Sequence, residues 1–172
     1  MDPRIEKTLE KLRNGLLSLV ATEDLTDISI SKLAKASGID RKTFYLHYKD
    51  VNDVMNDLCD ETVEKLTDRF TGDLKSDIGV FYDFLENAPD DLRLLISGDK
   101  SRDFRARFLH GVFTSPAFSR YYEGEDSSLV EGYLYSILYI YEEYKRVGRP
   151  LDIPELAGIT ADLIKHGISG VK

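Results

Sequence analysis

Ile30-Ser31-Lys32-Leu33-Ala34-Lys35-Ala36-Ser37-Gly38-Ile39-Asp40-Arg41-Lys42-Thr43-Phe44-Tyr45-Leu46-His47-Tyr48 is the stretch on which the reading of this chain turns. It predicts two short helices joined by a tight turn. Ser29 or Ser31 can cap the first, which stops at Gly38, where a left-handed backbone costs little. Asp40 can cap the second, Arg41 to His47. Two helices crossing steeply over so short a turn need a small residue at the crossing and apolar residues facing inward. Ala34 supplies the first, and Leu33, Ile39, Phe44 and Tyr48 supply the second. Phe44 and Tyr48 stand at i and i+4, so they share one face. The other face carries Arg41, Lys42, Thr43, Tyr45 and His47.

That outward set suits duplex DNA. Arg and Lys reach guanine acceptors or phosphates, Thr meets a base or a thymine methyl, and Tyr and His donate to phosphate oxygens. The N-terminal end of such a helix usually enters the major groove, which makes Lys42 and Thr43 the expected base contacts. Tyr45, His47 and Lys49 are expected on phosphate, with Arg41 and the capping Ser29 completing the DNA-facing set. Outward cations on a lone helix are ordinarily solvated surface; it is the two-helix context that points them at DNA. Arg4 and Lys7, at the start of the first helix, are lesser candidates.

Residues 28–50, with the Gly-Ile-x-x-x-Thr-Phe-Tyr-x-His-Tyr run at their centre, resemble the DNA-binding signature of the TetR/AcrR family of bacterial regulators. The resemblance covers the first three helices and the start of the fourth. It implies an all-α, TetR-like fold of about nine helices: a three-helix head at 1–50, and a helical dimerisation and ligand-binding body at 51–172. It also implies a repressor that binds a palindromic operator as a homodimer and is released by a small-molecule effector. Two departures stand out. The family often places Lys where this chain has Val51, and Lys42 occupies a position commonly Gly or Ala, as in a subgroup similar to the dihydroxyacetone-kinase operon regulators of Gram-positive bacteria. That subgroup suggests an alternative, a transcriptional coactivator governed by a protein partner. A helical interaction protein without DNA binding is a third reading.

The rest of the sequence is consistent with helices throughout. Asp2-Pro3 starts a first helix whose Ile5, Leu9, Leu12, Leu16 and Val20 form one apolar stripe. Asp50-Val51-Asn52-Asp53 resembles a capping box opening a helix to about Phe70. Further helices are expected at 74–87, 89–97, 101–113, 128–147 and 154–168, with Ser115-Pro116 as a break. Charge is uneven: the chain's net −8 divides into +1 over residues 1–50 and −9 beyond. An acidic body repels phosphate, so the docking surface is expected in the head.

The Tyr-rich segment 133–144 has too many large rings for one helix face. Tyr133, Ile137, Tyr141 and Tyr144, with Ile159, Leu163 and Ile164 of the last helix, are expected to form a four-helix dimer interface, a ligand cage being the alternative. Phe81, Phe84, Phe108, His110 and Tyr121 are the candidates for an effector pocket.

Other classes find no support. His47, His110 and His166 lack metal-ligand spacing, and no phosphate loop or nucleophile elbow occurs, so neither enzyme activity nor a metal or cofactor is expected. Cys59 is the single cysteine, and it reads as a small buried hydrophobe. No apolar run approaches the ~20 residues of a membrane span, and the N-terminus lacks a signal sequence, so the expected location is the cytoplasm, with no membrane association.

Overall fold

Local sequence signals set the helix ends. The computed structural model describes residues 2–97, 102–122, 127–148 and 152–168, the side chains of 127–134, 167 and 168 excepted. Among the described residues there are ten α-helices: α1 (Pro3–Val20), α2 (Ile30–Ser37), α3 (Arg41–Tyr45), α4 (Val51–Thr67), α5 (Leu74–Asn87), α6 (Asp90–Ser97), α7 (Arg102–Thr114), α8 (Pro116–Ser119), α9 (Ser127–Val147) and α10 (Ile153–Ile168). The Asp2 carboxylate accepts from the Arg4 N–H ahead of Pro3, satisfying an orphan donor of α1. Ser29 does the same for α2, Asp40 for α3 and Asp73 for α5. The expected break at Ser115-Pro116 is instead a start: Ser115 caps the one-turn α8, with Pro116 at its first position, and this is the helix the sequence reading lacked.

The chain forms two compact units, Met1–Thr62 with Pro89–Phe108, and Val63–Ala88 with Leu109–Lys172. This division differs from a cut after residue 50. The first twelve residues of α4 belong with the head because Val51, Val54, Met55 and Leu58 are buried there. In the first unit α1 packs on α2 and on α6. Its core holds Leu12, Leu16, Leu33, Phe44, Leu95, Ile96, Phe104 and Phe108. Fully burying a side chain such as Phe44 contributes about 1.5–3 kcal/mol.

α1 and α2 approach closely at Gly15: a Cβ there would lie 2.2 Å from Ser37 Oγ and 3.1 Å from the Ser37 backbone nitrogen. Ala34, the small residue expected where α2 and α3 cross, is buried.

In the second unit α10 packs along α5 and touches α9. Tyr82 is fully buried, 2.8 Å from the Thr160 hydroxyl, and burial pushes its phenol up to about 12. Asp77, also fully buried, accepts from the Thr71 N–H at 2.6 Å, the Gly72 N–H at 3.2 Å and the Tyr121 hydroxyl at 2.5 Å, so its charge is met by donors. No helix among the described residues is long and apolar enough to cross a membrane.

Candidate nucleic-acid interface

Gly38 creates the turn between α2 and α3. Its φ of 62° and ψ of 33° are left-handed, and the N–H groups of Gly38 and Ile39 return to the carbonyls of Lys35 and Ala34 at 3.2 and 2.9 Å. This is a Schellman closure, which favours glycine at that position. Asp40 then begins α3. Its carboxylate accepts from the Thr43 N–H at 2.9 Å and the Thr43 hydroxyl at 2.6 Å. Those bonds, the hydroxyl's first, hold the Asp40 carboxyl below its usual range. The Thr43 proton is thus committed within the chain, and Thr43 offers outward only its methyl group and an acceptor lone pair.

Phe44 and Tyr48 are buried under α3, as the i, i+4 spacing requires, with ring centroids 6.0 Å apart. Arg41, Lys42, Tyr45 and Lys49 are exposed, and His47 and Thr43 half-buried. The Arg41 Nη2 donates to the Tyr45 hydroxyl at 3.4 Å and its guanidinium carbon lies 6.0 Å from the Tyr45 ring centre, so the two side chains share one surface. The α-helix ends at Tyr45; the N–H groups of His47 and Tyr48 both point to the Phe44 carbonyl at 3.0 Å, leaving His47 on a tightened last turn. Ser29 is exposed, and its oxygen accepts from the Lys32 N–H at 3.3 Å, which leaves its own proton to donate outward.

One residue on this face escaped the sequence reading. Leu46 is 73% exposed, next to Tyr45 at 52%. An apolar side chain that open, between a tyrosine and a histidine, fits contact with sugars or a thymine methyl. The signal was present in the i, i+2 offset from Phe44, which takes Leu46 off the buried side.

The surface is braced from behind. The Tyr48 hydroxyl donates to Asp57 at 2.5 Å, and Arg13 bridges Asp57 at 2.7 Å and Glu61. Arg13 keeps only 13% of its side-chain exposure, so this network ties α1, the end of the two-helix motif and α4 together through charge-assisted bonds. Burial pushes the Tyr48 phenol well above its ordinary range, so it stays a donor at neutral pH. At the opening of α4, Asp50 accepts from the Asp53 N–H at 3.1 Å and Asp53 accepts from the Lys49 N–H at 2.8 Å. The capping box is therefore reciprocal, reaching back one residue further than the usual form.

The remaining expected sites fare differently. Of the residues assigned to a dimer interface, Ile137, Tyr141 and Ile164 are buried inside the chain's own second unit. Tyr141 stacks on Tyr82 with centroids 5.5 Å apart and donates to Glu86 at 2.8 Å. Ile159 and Leu163 are exposed at i and i+4 on α10, Tyr144 is half-buried, and Tyr139, absent from the sequence-based set, is 63% exposed. Tyr133 lies outside the described side chains.

Of the effector candidates, Phe81 and Phe108 are packed into the cores of different units, Phe84 is half-buried and His110 is exposed. Tyr121 spends its hydroxyl on Asp77. Among the described residues no three His, Cys, Asp or Glu side chains gather as a metal site.

No protein-family model and no curated protein matches the sequence. Solved structures do resemble the fold over nearly its whole length. The fatty acid degradation regulator FadR of Bacillus halodurans superposes with a TM-score of 0.61 at 13% identity, covering 95% of each chain. The transcriptional regulator FadR of Bacillus subtilis, solved with stearoyl-CoA, gives 0.58 at 17% identity, covering 95% of this chain and 99% of the other. The dihydroxyacetone kinase operon activator DhaS gives 0.52 at 15%, covering 96% and 98%. The chain has the TetR-like all-α fold; at these identities the likeness speaks to fold and does not favour the dihydroxyacetone-kinase subgroup over the others.

Proposed function

We propose that this protein is a transcriptional regulator that binds duplex DNA through α3 and its flanks. A two-fold dimer on this reading sets two copies of α3 into successive major grooves about 34–36 Å apart on a palindromic operator. The observation that carries the reading is the exposed Arg41, Lys42, Tyr45, Leu46 and Lys49 surface, standing on a buried Phe44–Tyr48 base that Asp57 and Arg13 hold in place. Lys42 and the Thr43 methyl read bases; Tyr45, His47, Lys49 and Ser29 grip phosphate. The acidic balance beyond residue 50 orients the head toward the polyanion. Dimerisation uses α9 and α10, through Ile159, Leu163 and Tyr139. A small molecule taken up by the second unit changes the spacing of the two heads and releases the operator, a repressor's response.

The test is selection of genomic DNA fragments by the protein, followed by mobility shifts across a salt series. Each phosphate contact contributes about −0.9 to the slope of log affinity against log salt, so several contacts predict a steep fall. A shift without salt dependence, or no preference over scrambled duplex, would leave the protein-partner reading in its place.

A further inference from the structure

A cavity of about 370 Å³ opens in the second unit between the start of α5, the end of the α4 region and the start of α10. It contains none of the residues singled out from the sequence. Its walls are mostly apolar: Gly79 and Val80 on one side, Ile153 and Ala157 on the other. A Cβ added to Gly79 would meet only the Ala157 methyl, at 3.7 Å, so the small residues leave real space there. Its polar side chains are Arg69, Lys75, Ser76 and Asp83, the Ser76 hydroxyl being spent on Asp73 at 2.8 Å.

The charges do not cancel. Arg69 donates to Asp83 at 2.8 Å, which makes that pair neutral. Lys75 has no ion pair within 4 Å among the described residues, and its stem lies across α10 where Gly158 has no side chain: a Cβ there would be 3.3 Å from Lys75 Cε and Nζ. Asp73, which does not line the cavity, caps α5 through the Ser76 N–H at 2.9 Å and is shared electrostatically between Lys165 and Lys75. Among the residues that line the cavity, Arg69 and Lys75 therefore exceed Asp83 by one positive charge, in a part of the chain that is otherwise strongly acidic. Long, hydrated lysines ordinarily extend into water; this one is laid over a glycine beside the cavity.

We propose that this cavity binds a small amphipathic monocarboxylate, its apolar body against Val80, Ile153 and Ala157 and its carboxylate on Lys75, with the outer edge of the Arg69 guanidinium as a second donor. The volume lies within the usual range for small-ligand sites, and a mostly apolar wall with a few placed polar groups is their usual composition. A dianion or a phosphate ester would exceed the one net positive charge of the lining, whereas a single carboxylate balances it. The proposal supplies a ligand class for the effector part of the proposed function and rests on that part; it does not depend on the head binding DNA.

Isothermal titration of the full chain with sodium octanoate tests it, with 1-octanol as the uncharged isostere and acetate as the charge without the body. Octanoate binds, octanol binds about tenfold more weakly for want of the charge-assisted bond, and acetate gives no heat. Lys75→Gln, at an exposed position, lowers octanoate affinity about tenfold and makes it indistinguishable from octanol. Gly79→Leu fills the cavity and abolishes binding while circular dichroism stays that of the parent. Equal binding of octanoate and octanol, undiminished affinity in Lys75→Gln, persistent binding in Gly79→Leu, or no binding to the parent overturns the assignment. Mobility shifts in the same preparations report separately on the DNA reading, so loss of one does not masquerade as loss of the other.

Discussion

Alanine in place of glycine within a helix normally stabilises by about 1 kcal/mol, since it restricts the unfolded backbone and shields the helix. At Gly15 the sign should reverse. The new Cβ would lie 2.2 Å from Ser37 Oγ, and although that hydroxyl can rotate away, doing so breaks its 2.8 Å bond to the Leu33 carbonyl. The backbone atoms behind it do not rotate: Ser37 N and Cα remain at 3.1 and 3.2 Å, which forces α1 and α2 apart. Overpacking of this kind costs about 1–3 kcal/mol. Set against the gain in propensity, Gly15→Ala should lose on the order of 1 kcal/mol. Urea unfolding followed by circular dichroism measures it as a lower midpoint at unchanged slope. Gly79→Ala is the internal control, because its Cβ meets only Ala157 at an ordinary 3.7 Å, and it should stabilise. If Gly15→Ala proves as stable as the parent or more so, the close crossing that aligns α2 and α3 is wrong.

Lys42→Ala should narrow the difference in affinity between selected and scrambled duplexes, whereas Tyr45→Phe should weaken both alike; fluorescence anisotropy on the two duplexes separates the roles. On the proposed dimer, Ile159→Glu with Leu163→Glu should yield a monomer in sedimentation equilibrium, with helicity retained because both positions are exposed on α10. Cys59 is fully buried and burial pushes its thiol up to about 12, so the nucleophilic thiolate is scarce at pH 8 and a disulfide reagent should label it only after unfolding. Rapid labelling of the native protein would contradict that burial. Tyr48→Phe should lower stability by about 1–2 kcal/mol in the same urea assay, since half-exposed Asp57 keeps Arg13 as a partner while losing one donor.

The sequence determined what is local. Capping residues Asp2, Ser29, Asp40 and Asp73 sit where backbone donors need them, Gly38 stands at the left-handed turn, and the Phe44–Tyr48 spacing fixes which side of α3 is buried. These depend on neighbours within a few residues, so helix order and the outward Arg41–Lys49 surface could be read directly. Tertiary structure decided what depends on partners distant in the chain. Periodicity marks Ile137, Tyr141 and Ile164 as apolar but cannot say whether they cover α5 and α10 of the same molecule or a second copy; the Tyr82–Tyr141 stack answers for the first. Gly15 meets Ser37, and Lys75 meets Gly158, only because helices remote in sequence cross there. A pattern along one chain records which side chains avoid water, whereas the identity of what excludes that water is a property of packing.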